Sequence, residues 1–223
     1  IVTTETIKTI AERNGVEIYD VYTGFKWIAN VMRENEGKKN YIGGGEESYG
    51  FLCEDFVRDK DAVSACVILA EIAAWAKDQG LSLYQLLQKI YVEYGFSKEK
   101  GISVVKKGKS GAEEIEAMMK KFRENPLTEI AGSKVTYFYD YSTLKGKDYA
   151  ENETVTLDMP TTSNVLQYFT EDNTKVSIRP SGTEPKIKFY CEVHSKVKSI
   201  DELPEAEKAA EEKINQIKAS LGI

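Results

Sequence analysis

Residues 135–141, 155–157, 165–170, 176–179 and 187–193 form five segments in which apolar and polar side chains alternate. Period-two alternation specifies strands with one buried face, and strands following one another at short spacing pair antiparallel. Glu171-Asp172-Asn173-Thr174 predicts a hairpin turn between two of them. An amphipathic helix precedes this run, with Ala112, Ile115, Met118, Met119 and Phe122 on one face, Ser110 and Glu113 boxing its start and Asn125-Pro126 stopping it. Another helix follows, with Ala206, Ala209, Ala210, Ile214, Ile217 and Leu221 on its stripe. Residues 102–105 read as a further strand, and residues 143–158 as a polar excursion at the sheet edge. The pattern predicts an α+β domain with an antiparallel sheet packed on helices.

The preceding residues have a different texture, in which helical stripes and short strands take turns as in mixed-sheet α/β architecture. Ile7, Ile10 and Ala11 form a stripe capped by Thr3 or Thr4, residues 16–19 read as a strand, and Thr23-Gly24 turns into a helix bearing Trp27, Ile28, Val31 and Met32. Tyr41-Ile42 reads as a short strand running into Gly43-Gly44-Gly45. Residues 62–76 are almost continuously apolar, which predicts a helix capped by Asp59 or Asp61 and buried on most sides. Ser82 and Gln85 form a capping box for one more helix. The change of texture near Gly95 divides the chain into domains 1–94 and 95–223.

Composition excludes several function classes. Thirty Lys and Arg against 36 Asp and Glu leave a net charge of -6, which lacks the dominant basic face of a general nucleic-acid binder. No apolar run approaches the roughly 18 residues of a membrane span. Three unclustered cysteines suit a reducing, cytoplasmic setting rather than a disulfide scaffold. The apolar opening Ile1-Val2 reads as a piece of a longer chain. His194 is the only histidine, so no His-based metal cluster or Ser-His-Asp triad can be assembled.

Two loops concentrate binding chemistry. In Arg179-Pro180-Ser181-Gly182-Thr183-Glu184-Pro185, the hydroxyls of Ser181 and Thr183 can donate, Gly182 admits close backbone approach, and Arg179 can fork onto two phosphate oxygens. Between Lys175 and Lys188, four basic residues face Glu184 alone, a local reversal of the chain's negative charge. The competing interpretation is an ordinary hairpin whose Ser and Thr bond their own backbone. In Gly45-Glu46-Glu47-Ser48-Tyr49-Gly50, a carboxylate and a hydroxyl two residues apart can hold vicinal sugar hydroxyls; the bland alternative is a glycine-rich turn with solvated acids. Three charge-assisted bonds to a phosphate are worth roughly 5–9 kcal/mol. An association cost of about 4–15 kcal/mol can cancel that, so a phosphate-bearing ligand needs a second grip.

Together with Thr23-Gly24-Phe25-Lys26 and Arg58-Asp59-Lys60-Asp61, these loops resemble, in order and spacing, the C-terminal half of the α-D-phosphohexomutases, the phosphoglucomutase/phosphomannomutase family. The resemblance implies that residues 1–94 are most of the third family domain and residues 95–223 the fourth. It implies that Glu46 and Ser48 hold sugar hydroxyls and that Arg179, Ser181, Gly182 and Thr183 bind the phosphate that is not transferred. Thr23, Gly24 and Lys60 would line the substrate cleft. Lys188 stands where many relatives place a phosphate-contacting arginine, substituting a point charge for a bidentate fork.

The family interconverts hexose 1-phosphate and hexose 6-phosphate through a phosphoserine and a bisphosphorylated sugar, with Mg2+. Neither the phosphoserine loop nor the acidic metal loop occurs in these residues, so no catalytic residue and no metal ligand is expected here. The expected partners are a phosphosugar and the missing N-terminal domains, with neither nucleic acid nor membrane. A phosphomannomutase, a phosphopentomutase and a non-catalytic phosphosugar-binding module remain as alternatives.

Overall fold

A computed structural model describes residues 1–106, 108–182 and 184–223. The chain separates into two compact units, Ile1–Tyr94 and Gly95–Ile223.

The first unit contains α1 (Glu5–Arg13), α2 (Phe25–Glu34), β1 (Gly43–Gly45), β2 (Phe51–Cys53), α3 (Ala62–Asp78) and α4 (Leu83–Tyr94). Three helix starts are chemically determined. Thr4 accepts from the Thr6 amide at 3.2 Å, Asp61 from the Ser64 amide at 2.8 Å, and Ser82 and Gln85 close a reciprocal box at 2.8 and 3.2 Å. Strands β1 and β2 pair antiparallel, with Gly44 opposite Leu52. Phe25, Met32 and Leu52 form one buried cluster, against which Ile28 and Tyr41 pack.

Three sequence expectations fail in this unit. Residues 16–19 form no strand, because among the described residues no segment offers them a ladder. The expected strand at Tyr41-Ile42 lies one step later, at β1, where the glycine amides pair with β2. Helix α3 forms as expected, yet Val63 is 74% and Trp75 55% exposed and Ala76 is its buried residue. It packs chiefly on β2 and α4 among the described residues, and a helix apolar on all sides has no preferred face to hide.

The second unit runs β3 (Phe96–Val105), α5 (Gly108–Glu124), β4 (Glu129–Ile130), β5 (Ser133–Asp140), β6 (Lys145–Asp148), β7 (Glu153–Thr156), β8 (Leu166–Thr170), β9 (Lys175–Pro180), β10 (Lys186–Ser195), a short 3-10 turn at Ile200–Glu202, and α6 (Leu203–Leu221). Among the described residues the sheet order is β3-β10-β9-β8-β5-β6-β7, with β4 beside β5, and every pairing is antiparallel. The expected fold class, an α/β domain followed by an α+β domain with an antiparallel sheet packed on helices, is what the chain adopts, the sheet of the first unit being the antiparallel pair β1-β2 among the described residues.

One sheet face carries Val176, Ile178, Ile187, Phe189 and Cys191, all buried, and α5 and α6 pack on β10. Phe122 of α5 meets Phe189 edge-on at 6.4 Å, and the Tyr168 hydroxyl donates to the Phe122 carbonyl at 3.1 Å. Helix α6 buries Leu203, Ala210, Ile214, Ile217 and Leu221; Ala209, placed on its stripe from sequence, is exposed.

The hairpin at 171–174 is present, with Asn173 at φ 61. The polar excursion at 143–158 folds instead as β6 and β7; the Lys-Gly-Lys-Asp of β6 carries no apolar side chain to mark it as a strand, yet it pairs with β5 on one side and β7 on the other. Helix α5 starts at Gly108, two residues before the capping box read at Ser110. No helix among the described residues is long and apolar enough to cross a membrane.

Candidate functional site

The first unit gathers four of its five expected site residues. Gly24 sits at the start of α2 with φ 119, a conformation side chains rarely adopt, and its amide donates to Oε1 of Glu46 at 2.9 Å. The Glu46 amide donates to the Gly50 carbonyl at 2.8 Å, closing the turn, and a methyl on Gly50 would overlap Oε2 of Glu46. The carboxylate is therefore clamped, one oxygen on the Gly24 amide and the other above Gly50. Thr23 has a buried hydroxyl with no hydrogen-bond partner among the described residues.

Lys60 lies 5.8 Å over the ring of Phe25, which places its ammonium next to the Gly24 turn. Its backbone amide donates to Asp59 at 2.8 Å and, with the ammonium, holds that carboxyl below its ordinary value. Ser48 is exposed at the tip of the turn, beside the fully exposed Tyr49.

A cavity of about 480 Å3 lies behind these loops, lined by Ile18, Val21, Ile28, Met32 and Ile42, with Thr23 and Glu46 also on its wall. Thr3, Glu5, Asp20, Asn35, Glu36 and Arg58 also line it, so the wall is mixed and offers polar groups beyond Thr23 and Glu46. Tyr41 points its hydroxyl at the Leu52 carbonyl, 3.3 Å away, and burial pushes its pKa up to about 12. A methyl on Gly44 would stand 2.6 Å from that hydroxyl, which explains the glycine in the middle of β1.

In the second unit the β9–β10 loop carries the other set. Arg179 and Lys188 are direct cross-strand partners, and Arg179 has a buried Nη1 with no hydrogen-bond partner among the described residues. Lys188 lies 5.9 Å over the Tyr190 ring. The loop is closed by the Ser181 amide on the Lys186 carbonyl at 2.8 Å and the Lys186 amide on the Glu184 carbonyl at 2.7 Å.

Glu184 and Lys186 form an ion pair, and that hydrogen bond, followed by the Lys186 charge and then that of Lys188, keeps the Glu184 carboxyl below its ordinary value. The loop acid is thus occupied by Lys186, while Arg179 and Lys188 face each other. Ser181 also accepts from the Glu184 amide at 3.3 Å, the self-capping of an ordinary hairpin. Gly182 is exposed, and a methyl there would meet nothing within 4 Å, so its surroundings among the described residues do not require a glycine at 182. Thr183 lies outside the described residues.

Sequence reasoning missed the clamping role of Gly50. The string containing it was visible, but its overlap with Glu46 arises only when the turn folds back on itself. Among the described residues no group of three or more His, Cys, Asp or Glu could hold a metal ion, so the magnesium implied by the resemblance finds no donor set here.

Comparison with known proteins decides the family. Residues 1–94 match the profile of "Phosphoglucomutase/phosphomannomutase, alpha/beta/alpha domain III", and residues 103–210 match that of "Phosphoglucomutase/phosphomannomutase, C-terminal domain". The chain belongs to the phosphoglucomutase/phosphomannomutase family.

Among its relatives, the phosphoglucomutase of Staphylococcus haemolyticus (strain JCSC1435) is 37% identical over 194 residues, 87% of this chain and 35% of that protein. The phosphoglucomutase of Staphylococcus aureus (strain bovine RF122 / ET3-1) is 40% identical over 190 residues, 85% of this chain and 34% of that protein. The chain therefore spans about a third of the length of the curated relatives it matches.

A crystal structure of pp63/parafusin, a phosphoglucomutase from Paramecium, in its open form, shares the fold with a TM-score of 0.57 at 20% identity, covering 89% of this chain and 32% of that one. Within the phosphoglucomutase/phosphomannomutase family assignment, the Glu46 turn falls in the domain III match and the β9–β10 loop in the C-terminal domain match.

Proposed function

We propose that this chain is the substrate-recognition portion of a phosphoglucomutase, whose second unit binds phosphate and whose first unit binds sugar hydroxyls. The observation that carries this reading is the pairing of Arg179 with Lys188 across β9 and β10. Like charges directly opposite one another destabilise a sheet, and a buried guanidinium nitrogen without a partner costs more. A phosphate dianion between them relieves both costs and supplies two oxygens to the Arg179 fork.

Phosphate contacts of this kind are shared by phosphate, phosphopeptides and nucleotides, so selectivity for a sugar comes from the clamped Glu46 carboxylate. Fixed before the ligand arrives, it loses little entropy on accepting two hydroxyl donors. The Thr23 hydroxyl and the Lys60 ammonium add donors beside it. We infer glucose 1-phosphate and glucose 6-phosphate as the ligands because the compared relatives are phosphoglucomutases. These residues bind and orient; the phosphoryl-transferring serine and the magnesium loop belong to other parts of such an enzyme, and no step here runs through them. Purified 1–223 is expected to bind and not to isomerise.

Calorimetric titration with glucose 1-phosphate, inorganic phosphate and glucose tests the reading. Arg179→Ala should weaken both phosphate ligands at least tenfold, and Glu46→Gln should weaken glucose 1-phosphate while leaving inorganic phosphate within about twofold. Equal binding of all three by wild type and Arg179→Ala would overturn the proposal.

A further inference from the structure

We propose that Gly111 is a positioning residue for the β9–β10 anion loop, acting through the backbone of Lys106. Gly111 is buried in the first turns of α5, and a Cβ built on it would lie 2.6 Å from the carbonyl carbon of Lys106 and 2.7 Å from both its oxygen and its Cβ. These are chiefly backbone atoms, which cannot swing aside as the end of a side chain can. Any residue but glycine at 111 therefore displaces residue 106 by an appreciable fraction of an ångström.

Residue 106 is an anchor of the loop. Its amide donates to the Pro185 carbonyl at 2.9 Å, immediately after Val105 has paired with Lys186 at the end of the β3–β10 ladder. The Lys106 side chain pairs with Glu114 at 2.9 Å, just past Gly111 on the same helix, so the helix grips residue 106 at two points. The Ser181 amide on the Lys186 carbonyl closes the loop from inside, and the Lys106 amide on Pro185 fixes it from outside. The close approach at Gly111 is thereby transmitted to the segment that presents Ser181 and Gly182.

This role rests on the proposal that the loop takes phosphate, and the test separates the two. The 1–223 chain and its Gly111→Ala variant are titrated with inorganic phosphate, and amide hydrogen exchange is followed at Lys106 and Ser181. Gly101→Ala is the control, since a methyl there meets nothing within 4 Å. The expected result is phosphate affinity about ten- to a hundredfold weaker in Gly111→Ala, with faster exchange at both amides and neither change in the control.

Unchanged affinity and unchanged exchange in Gly111→Ala overturn the inference. If wild type takes no phosphate, the functional reading of the loop fails and the exchange rates alone decide the tether. Should Gly111→Ala not fold, Lys106→Pro deletes the donor directly, and undiminished phosphate affinity in that variant overturns the inference as well.

Discussion

The amide of Gly24 and the carboxylate of Glu46, joined by a 2.9 Å hydrogen bond, tie the start of α2 to the turn after β1. That bond fixes one carboxylate oxygen, and Gly50 leaves room for the other. Substituting Gly50→Ala should push the carboxylate aside while costing under about 1 kcal/mol of stability, because only the end of a flexible side chain must move. Glucose 1-phosphate affinity should fall about tenfold with inorganic phosphate unaffected, as read by calorimetric titration of both ligands.

The Arg179–Lys188 pair is expected to trade stability for binding. Lys188→Gln removes the like-charge opposition, so the free protein should gain a few tenths of a kcal/mol in urea unfolding while phosphate affinity falls severalfold. Lys188→Arg should do the reverse for binding, tightening phosphate severalfold by restoring a planar fork. Identical affinities across wild type, Gln and Arg would remove Lys188 from the site.

Asp172 gives the second unit an acid limit. Burial pulls its pKa up, but hydrogen bonds from Lys213, Thr170 and Thr174 outweigh that and bring it down to about 2 from an ordinary 3.8. A depressed carboxyl stabilises the fold fully above its unfolded pKa and loses that contribution as pH falls through the folded value. Wild type should therefore be more stable than Asp172→Asn at pH 6, with the gap closing between about pH 4 and pH 2. Acid titration of urea midpoints for both proteins reads this out.

Much of this architecture was legible because local chemistry determined it. The Ser82–Gln85 box, the Asp61 cap and the hairpin at 171–174 depend on neighbours in sequence, and the structure forms all three. Residues 16–19 and β6 went the other way: the first has strand composition without a partner, and the second has a partner without strand composition. Strand existence is a tertiary property, and composition reports only half of it. For the site, the residue types in each loop could be read directly. The clamp on Glu46, the exposure of Ser48 and the Glu184–Lys186 pairing depend on chain reversal, which no spacing rule contains.

The Tyr168 hydroxyl is the stitch between the sheet and the end of α5. Tyr168 is fully buried, and Tyr168→Phe leaves the Phe122 carbonyl without its donor. The cost should be about 1–3 kcal/mol, seen as a lower urea midpoint with an unchanged slope.

Chemical-shift mapping of isotope-labelled 1–223 with glucose 1-phosphate tests the central claim most directly. Saturable shifts are expected at Gly24 and Glu46 and at Arg179, Ser181, Gly182 and Lys188, with shifts confined to the last four for inorganic phosphate. Shifts that leave either loop untouched by glucose 1-phosphate would contradict it.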